Sequence, residues 1–362
     1  MACQRRRRAV ARVAGVEESV VHRALRFDQA LQRWRARRAR DGGYTVEVTP
    51  YTGYGSTTWV RVLARVLLAK PSERRADLPT GARGWRNFVS VPLEHAVVKV
   101  HIGERSYEVE ADRSGIIDVV VDVDLEPGWR RIGLSSGDSE VAPALIFVVD
   151  PDTTFGVVSD VDDTVMVTAL PRPLLAAWHT FVVNEHARAT TPGMPVLYER
   201  LTTRYPGAPM IYLSTGAWNV APTLTRFLSR NLYPAGALLL TDWGPTADRW
   251  FRSGREHKRS SLERLAEEFP QIKWLLVGDD GQHDESIYRD FVVRHPDNVA
   301  AVCIRRLTPS EAVLAGSSFR GHANTGNSTV PWLYASDGAG LAEKLEQLGR
   351  LNPAPQQPEV EA

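Results

Sequence analysis

The sequence predicts an antiparallel β-sandwich-like domain over residues 44–150, followed by a parallel-sheet α/β domain over 151–310. Two observations carry this prediction. From Tyr44 to about Val149 apolar residues recur at every second position, and after Asp150 short apolar runs alternate with amphipathic helices. A third sets residues 1–43 apart as a basic helical arm: residues 1–40 hold 12 arginines against Glu17, Glu18 and Asp28.

In the arm, Val20, Ala24, Phe27, Leu31 and Trp34 form one apolar helical stripe flanked by arginines. Such a helix either packs its stripe on the body of the protein or lies on an anionic membrane surface. The N-terminus has the positive start of a signal peptide without its apolar core, so secretion is not expected.

The strand region alternates cleanly. Val98, Val100 and Ile102 point one way in "HAVVKVHI", as do Val119, Val121, Val123 and Leu125 in "DVVVDVDL". "YTVEVTPY", "TTWVRVLARVLLA" and "ALIFVVD" supply further strands, with turn signals in "ADRSG" and "LEPGW". Alternation puts Asp118, Asp122 and Asp124 on the solvent face, which disfavours a calcium site there.

Beyond Asp150 the strands read "FGVVS", "PMIYLS", "GALLLT", "KWLLVG" and "VAAVCI", with "PVLYERLTTR", "NVAPTLTRFLSRN", "HKRSSLERLAEEF" and "DESIYRDFV" as helices. Strand–helix alternation of this kind builds a parallel sheet whose ligands sit at the carboxyl ends of its strands. The stretch at about 165–208 exceeds a simple crossover and is read as a small cap, with Arg188 a candidate headgroup contact. Residues 311–350 read as a loop and final helix, and 351–362 as a disordered tail.

Composition sets bounds. Of 362 residues 43% are hydrophobic and 24% charged, which suits folded domains. The balance of 44 basic to 43 acidic residues argues against a nucleic-acid partner recruited by overall charge. Two cysteines, Cys3 and Cys303, exclude a disulfide framework, and no window reaches the roughly 18 apolar residues of a spanning helix. A cytoplasmic location is the expectation, with peripheral membrane contact through the arm.

The chemistry-bearing residues follow strand ends. "FGVVSDVDDTV" places Asp160, Asp162, Asp163 and Thr164 after the first strand of the second domain. Alone, they suit a cation site, acid–base work, nucleophilic attack or a solvated turn. An EF-hand is excluded because Val165 stands where its loop needs glycine. Later strand ends add Ser214 and Thr215, whose hydroxyls and N–H groups suit a phosphate oxygen. Lys258, read at a helix start, offers a mobile cation, and Asp279, Asp280 and Asp284 offer the hard oxygen ligands Mg²⁺ prefers. His257 and His283 lack the cysteines of a soft-metal site, and Ser214 lacks a nucleophile elbow.

These motifs resemble the haloacid dehalogenase superfamily of phosphatases, and more closely the actin-patch-protein type of phosphatidate phosphatase catalytic domain. The matching residues are Asp160, Asp162 and Thr164; Ser214 with Trp218; His257 and Lys258; and Gly278, Asp279, Gly281, Gln282 and Asp284. Also similar are "TPGMPVLYERL", "NLYPAGALLL" and the closing "IRR", over about 152–307, while "TPYTGYGS" at 49–56 is similar to the strand-rich region of relatives. Two departures, Thr215-Gly216-Ala217 before the tryptophan and Asp280 after Asp279, bear on substrate selection.

The resemblance implies a Rossmann-like haloacid dehalogenase fold and a Mg²⁺-dependent phosphatase. Asp160 is then the nucleophile and Asp162 the general acid and base, with Ser214, Lys258 and Thr164 completing the catalytic set. Ser214, Thr215, Lys258, Trp218, Arg252 and Arg255 become substrate contacts. Asp160, the Asp162 carbonyl, Asp279 and Asp284 become metal ligands. For Trp218 packing at a helix entry is the competing role, and for Asp284 helix capping. Asp163 and Asp280 read as solvated turns. Phosphatidate is the substrate that the resemblance implies. Rival readings are a soluble phosphomonoester or phosphoprotein as substrate, or a catalytically silent module that binds lipid or a partner.

Overall fold

In a computed structural model of the chain, residues 34–70, 91–167, 189–241, 247–281, 283–308, 311 and 329–353 are described, with 247–253 by their backbone alone. The expectations for residues 1–33, for Arg188 with most of the cap, and for the tail from 354 onward lie outside these residues. The end of the arm is helical over 34–41, and there Trp34 is exposed with the Arg38 guanidinium 5.5 Å from its ring centre.

The first domain is one nine-stranded sheet: β1 (Thr45–Pro50), β2 (Gly53–Ser56), β3 (Trp59–Ala69), β4 (Val91–Pro92), β5 (Val97–Ile102), β6 (Arg105–Glu110), β7 (Ile116–Asp122), β8 (Gly128–Ser135) and β9 (Ala142–Val149). The order is β1-β3-β2-β9-β8-β5-β6, with β4 and β7 also paired to β3. Alternate residues of six strands, among them Val48, Val60, Val98, Val121, Leu134 and Ile146, meet in one core. The sheet therefore folds over on its own inner face, as period-two patterning demands. One expectation is corrected: β2 and β9 pair parallel, within an otherwise antiparallel sheet. Alternation fixes which face a residue takes and carries no information on a neighbour's direction.

The second sheet is wholly parallel, in the order β12-β11-β10-β13-β14-β15. Its strands are β10 (Phe155–Asp160), β11 (Met210–Ala217), β12 (Ala237–Thr241), β13 (Lys273–Asp279), β14 (Val299–Arg305) and β15 (Trp332–Ala335). Every residue of β10, β12 and β14 is buried, as expected of strands covered on both faces. The helices are α1 (Met194–Arg204), α2 (Ala221–Arg230), α3 (Ala247–Glu268), α4 (Asp284–Arg294) and α5 (Gly338–Gln347). Leu224, Phe227 and Leu228 of α2 and Leu262 and Leu265 of α3 are buried, so the apolar stripes face inward.

The chain enters this sheet at β10, builds out through β11 and β12, then returns to β13 on the other side. The carboxyl end of β10 is consequently a topological switch point, where α/β folds open a crevice for ligands.

Two further corrections concern the connections. The region expected to hold only a loop and a helix also contributes β15, which extends the sheet at its edge. "WLYA" is too short and too evenly half-buried to show a period. The described ends of the stretch expected as a cap over 165–208 also belong to the domain itself. Val167 N–H donates to the Ala189 carbonyl at 3.0 Å, Thr191 N–H to the Val165 carbonyl at 3.1 Å, and Met166 bridges Thr190. The two chain ends are thus tied at 165–167 and 189–191, and α1 beyond them is an ordinary crossover helix packed on α5.

The two domains share a core. Tyr51, Tyr54, Leu63 and Ile116 of the first lie in the same cluster of buried residues as the strands of the second. Trp59 and Tyr54 pack on Phe269, with ring centres at 5.3 and 6.1 Å.

Candidate active site

Asp160 is the last residue of β10 and is buried. Its Oδ1 accepts a 2.6 Å bond from Lys258 Nζ, while Oδ2 is buried without a hydrogen-bond partner. Beneath it, Ser159 Oγ donates to the Asp160 carbonyl at 2.7 Å and lies 2.6 Å from the Tyr198 hydroxyl, which fixes the strand end from below.

Lys258 Nζ also donates to Asp284 Oδ1 at 2.6 Å. The expectation that Lys258 opens a helix is corrected: α3 begins at Ala247, and Lys258 lies midway along it. The charge-rich first half of that helix hides its start. Burial works to lower the Lys258 ammonium, but the Asp160 and Asp284 carboxylates outweigh it and hold its pKa above the ordinary value.

Asp279 ends β13 beside β10, and its Oδ1 accepts from Gly281 N–H at 2.6 Å. Asp284 is the first residue of α4, and its Oδ2 faces the Asp279 N–H at 3.4 Å. It makes no side-chain cap, because His283 is the capping position and Asp284 turns inward to Lys258. Gly278 makes room for this: a Cβ there would stand 2.7 Å from Asp284 Oδ2 and 2.8 Å from the Tyr288 ring.

Asp160, Asp279 and Asp284 bring one carboxylate oxygen each within 4.8 Å of one another. Desolvation, followed for Asp160 by the opposing pull of Lys258 and for Asp279 by the neighbouring Asp284, leaves both carboxyls well above the ordinary range. Carboxyls this close oppose one another's ionisation in a low dielectric, and a hard divalent cation would relieve that opposition. The orphaned Asp160 Oδ2 fits the same reading. The Asp162 carboxylate is not part of this group.

Asp162 faces Ser214 instead, whose hydroxyl donates to Asp162 Oδ2 at 3.0 Å and accepts from Gly216 N–H at 2.9 Å. Thr164 is fully buried in the turn after β10. Thr215 is half-buried, and its carbonyl accepts from Thr241 Oγ1 at 2.9 Å. Arg255 is half-buried with its Nε lacking a hydrogen-bond partner. The Arg252 side chain lies outside what the structure describes.

Two expectations change. Trp218 is buried and stacked on Tyr51 at 4.9 Å, so packing occupies the ring expected to serve as a substrate platform. Asp163 is no solvated turn: it is buried in left-handed backbone at φ 59°, and its carbonyl accepts from Arg305 Nη1 at 2.7 Å. Asp280 keeps the exposed turn position expected of it, and there it also accepts from Leu307 N–H at 2.8 Å.

Arg305 is the residue that sequence reasoning missed. Buried at the end of β14, it reaches Asp163, the Ser336 carbonyl at 3.3 Å and Glu311 at 2.7 Å. Its signal was present in "IRR", but an arginine closing an apolar run reads as a surface residue. Tyr233 was missed too, and its hydroxyl pins the Val165 carbonyl at 2.7 Å.

Asp160, Asp162, Ser214, Lys258 and Asp279 thus gather at the switch point of a parallel sheet, on or beside its strand ends. Residues 155–306 match the family model described as phosphatidate phosphatase APP1, catalytic domain. Phosphatidate phosphatase APP1 of Saccharomyces cerevisiae is 24% identical over 151 residues, covering 41% of this chain and 25% of that protein. An uncharacterized Schizosaccharomyces pombe protein is 24% identical over 150 residues, covering 41% and 24%. The chain thus spans about a quarter of the length of these relatives. Among solved structures, a HAD family hydrolase from Deinococcus radiodurans R1, with bound phosphate and sodium, aligns at a TM-score of 0.30 and 14% identity, covering 56% of this chain and 100% of that one.

Proposed function

We propose that the protein is a Mg²⁺-dependent phosphatase that hydrolyses a phosphomonoester through an aspartyl-phosphate, with phosphatidate as its substrate. One observation carries the reading: a buried lysine bridges Asp160 and Asp284 at 2.6 Å each, beside Asp279 and beneath a serine-bound Asp162. The lipid substrate is taken from the family's description.

Asp160 attacks phosphorus in line through a carboxylate oxygen. As the ester bond breaks, Asp162 gives its proton to the departing alkoxide, so the alcohol leaves neutral. Water then attacks the aspartyl-phosphate, Asp162 takes the water's proton, and phosphate departs with Asp160 restored. Ser214 orients Asp162 through its hydroxyl and turns that one donor to a phosphoryl oxygen when substrate binds. Lys258 opposes the effect of burial on Asp160 and steadies the phosphoryl charge. Arg255, with donor capacity to spare, suits the phosphate or its headgroup. Asp160, Asp279 and Asp284, with the Asp162 carbonyl that the family resemblance implies, would hold Mg²⁺, which would supply the positive charge that lets one anion approach another.

The test is phosphate release from phosphatidate in mixed micelles, from lysophosphatidate and from a soluble chromogenic phosphoester, with Mg²⁺ or with chelator. Chelation is expected to abolish turnover, and Asp160→Asn to lower it by at least about 10³-fold. An Asp160→Asn variant at the full Mg²⁺-dependent rate would remove the proposed nucleophile.

A further inference from the structure

The segment "TPYTGYGS" at 49–56 takes no part in the chemistry above, yet in the fold it faces the catalytic domain. The Tyr51 ring stacks on Trp218 with 21° between planes, and its hydroxyl donates to the Trp218 carbonyl at 3.1 Å. Trp218 closely follows Ser214, and the stretch between them is irregular, with β11 shifting register against β12 between Leu213 and Ala217. A strand that breaks register leaves backbone groups outside the ladder, and these need other partners. Thr241 Oγ1 supplies one, donating to the Thr215 and Gly216 carbonyls at 2.9 and 3.2 Å. Tyr51 supplies the next.

A second contact grips the helix of Lys258. The Tyr54 hydroxyl donates to Glu268 Oε2 at 2.8 Å, and Arg61 donates through Nε and Nη2 to Glu268 Oε1 at 3.0 and 2.5 Å. Asp118 accepts from Arg61 at 2.5 Å and from Arg264 at 3.0 Å. Glu268 and Arg264 lie on α3 with Lys258. The Arg61 and Glu268 side chains are only 13% and 14% exposed, so the pair is shielded and its geometry is specific.

We propose that Tyr51, Tyr54 and Arg61 are positioning residues of the catalytic site, through which the strand domain holds both the Ser214 strand end and the Lys258 helix. The inference rests on the phosphatase reading and deepens it. Ser214 and Lys258 arrive on separate elements, yet they must stay 3.0 Å from Asp162 and 2.6 Å from Asp160. One sheet touches both elements from outside. A shift of about 1 Å between them costs up to about a hundredfold in rate, even when its cause lies far from the chemistry.

The test compares full-length wild type with Tyr51→Phe, Arg61→Met, Glu268→Gln and the Arg61→Met/Glu268→Gln double variant. The readouts are kcat and KM on a soluble phosphoester with Mg²⁺, together with the folded fraction from near-UV circular dichroism. Each single variant is expected to stay folded and to lose about tenfold in kcat, with KM changed less than about twofold. The double variant is expected to lose much less than the product of its singles, because the two residues form one contact. Asp290→Asn, which breaks the exposed Arg259 pair at 2.6 Å, serves as the control and keeps wild-type kcat. Folded Tyr51→Phe and Arg61→Met with wild-type kcat would overturn the inference, as would losses that merely track the unfolded fraction. A wild type that releases phosphate from no phosphoester would instead overturn the phosphatase reading.

Discussion

Arg305 shows how much a single side chain can organise around a catalytic loop. Its guanidinium serves the Asp163 carbonyl, the Ser336 carbonyl and Glu311, and holds in place a left-handed aspartate that ordinary backbone preference disfavours. Arg305→Met leaves a buried carbonyl and a carboxylate without their donor, so a loss of about 3 kcal/mol is expected by urea denaturation. Arg305→Lys recovers only part of it, since one ammonium cannot span three acceptors. His257 acts in the opposite sense. Burial pushes its pKa from 6.5 down to about 4, so the fold holds it neutral while the unfolded chain accepts a proton. Stability from this residue is complete above pH 6.5 and is lost as pH falls towards about 4. His257→Gln is expected to flatten that part of the melting temperature against pH, as scanning calorimetry at pH 7.5 and 5 would reveal.

At the scale of elements, the tightest joint is that between β13 and α4. Gly278→Ala drives a methyl into Asp284 Oδ2 and the Tyr288 ring, both buried, so α4 must shift and carry Asp284 with it. The expected result is a stability loss of about 1–3 kcal/mol and a larger loss of activity, together with a weaker Mg²⁺ requirement curve in a metal titration. Elements of this domain were legible where burial is complete: β10 to β14 read as apolar runs because helices cover both faces. The aspartates were legible because charge at the end of such a run has few structural uses. β15 escaped because an edge strand of four half-buried residues has no period to read. The start of α3 escaped because its first turns are rich in charge, which resembles a loop. Arg305 and the Tyr51–Trp218 stack escaped for another reason. Both depend on segments distant in sequence, which one-dimensional patterning cannot bring together.

Among the described residues the two domains are built as one unit. A core that runs from Tyr51 and Leu63 into the parallel sheet, with Phe269 under Tyr54 and Trp59, links the stability of the two domains. Calorimetry of the full chain is therefore expected to give one cooperative transition. Two resolved peaks would show that the shared core contributes little. The passage from β9 to β10 is equally short, with only the turn after Asp150 between them, where Thr153 N–H donates to the Asp150 carbonyl at 2.9 Å. That shortness has a consequence for inheritance. A recombination between Val149 and Phe155 would pass on the catalytic segment with the Phe269 ring bare and the Glu268 carboxylate stripped of Arg61. Any lineage that joins this segment to a different neighbour must therefore rewrite those two positions, or bring a surface that answers them.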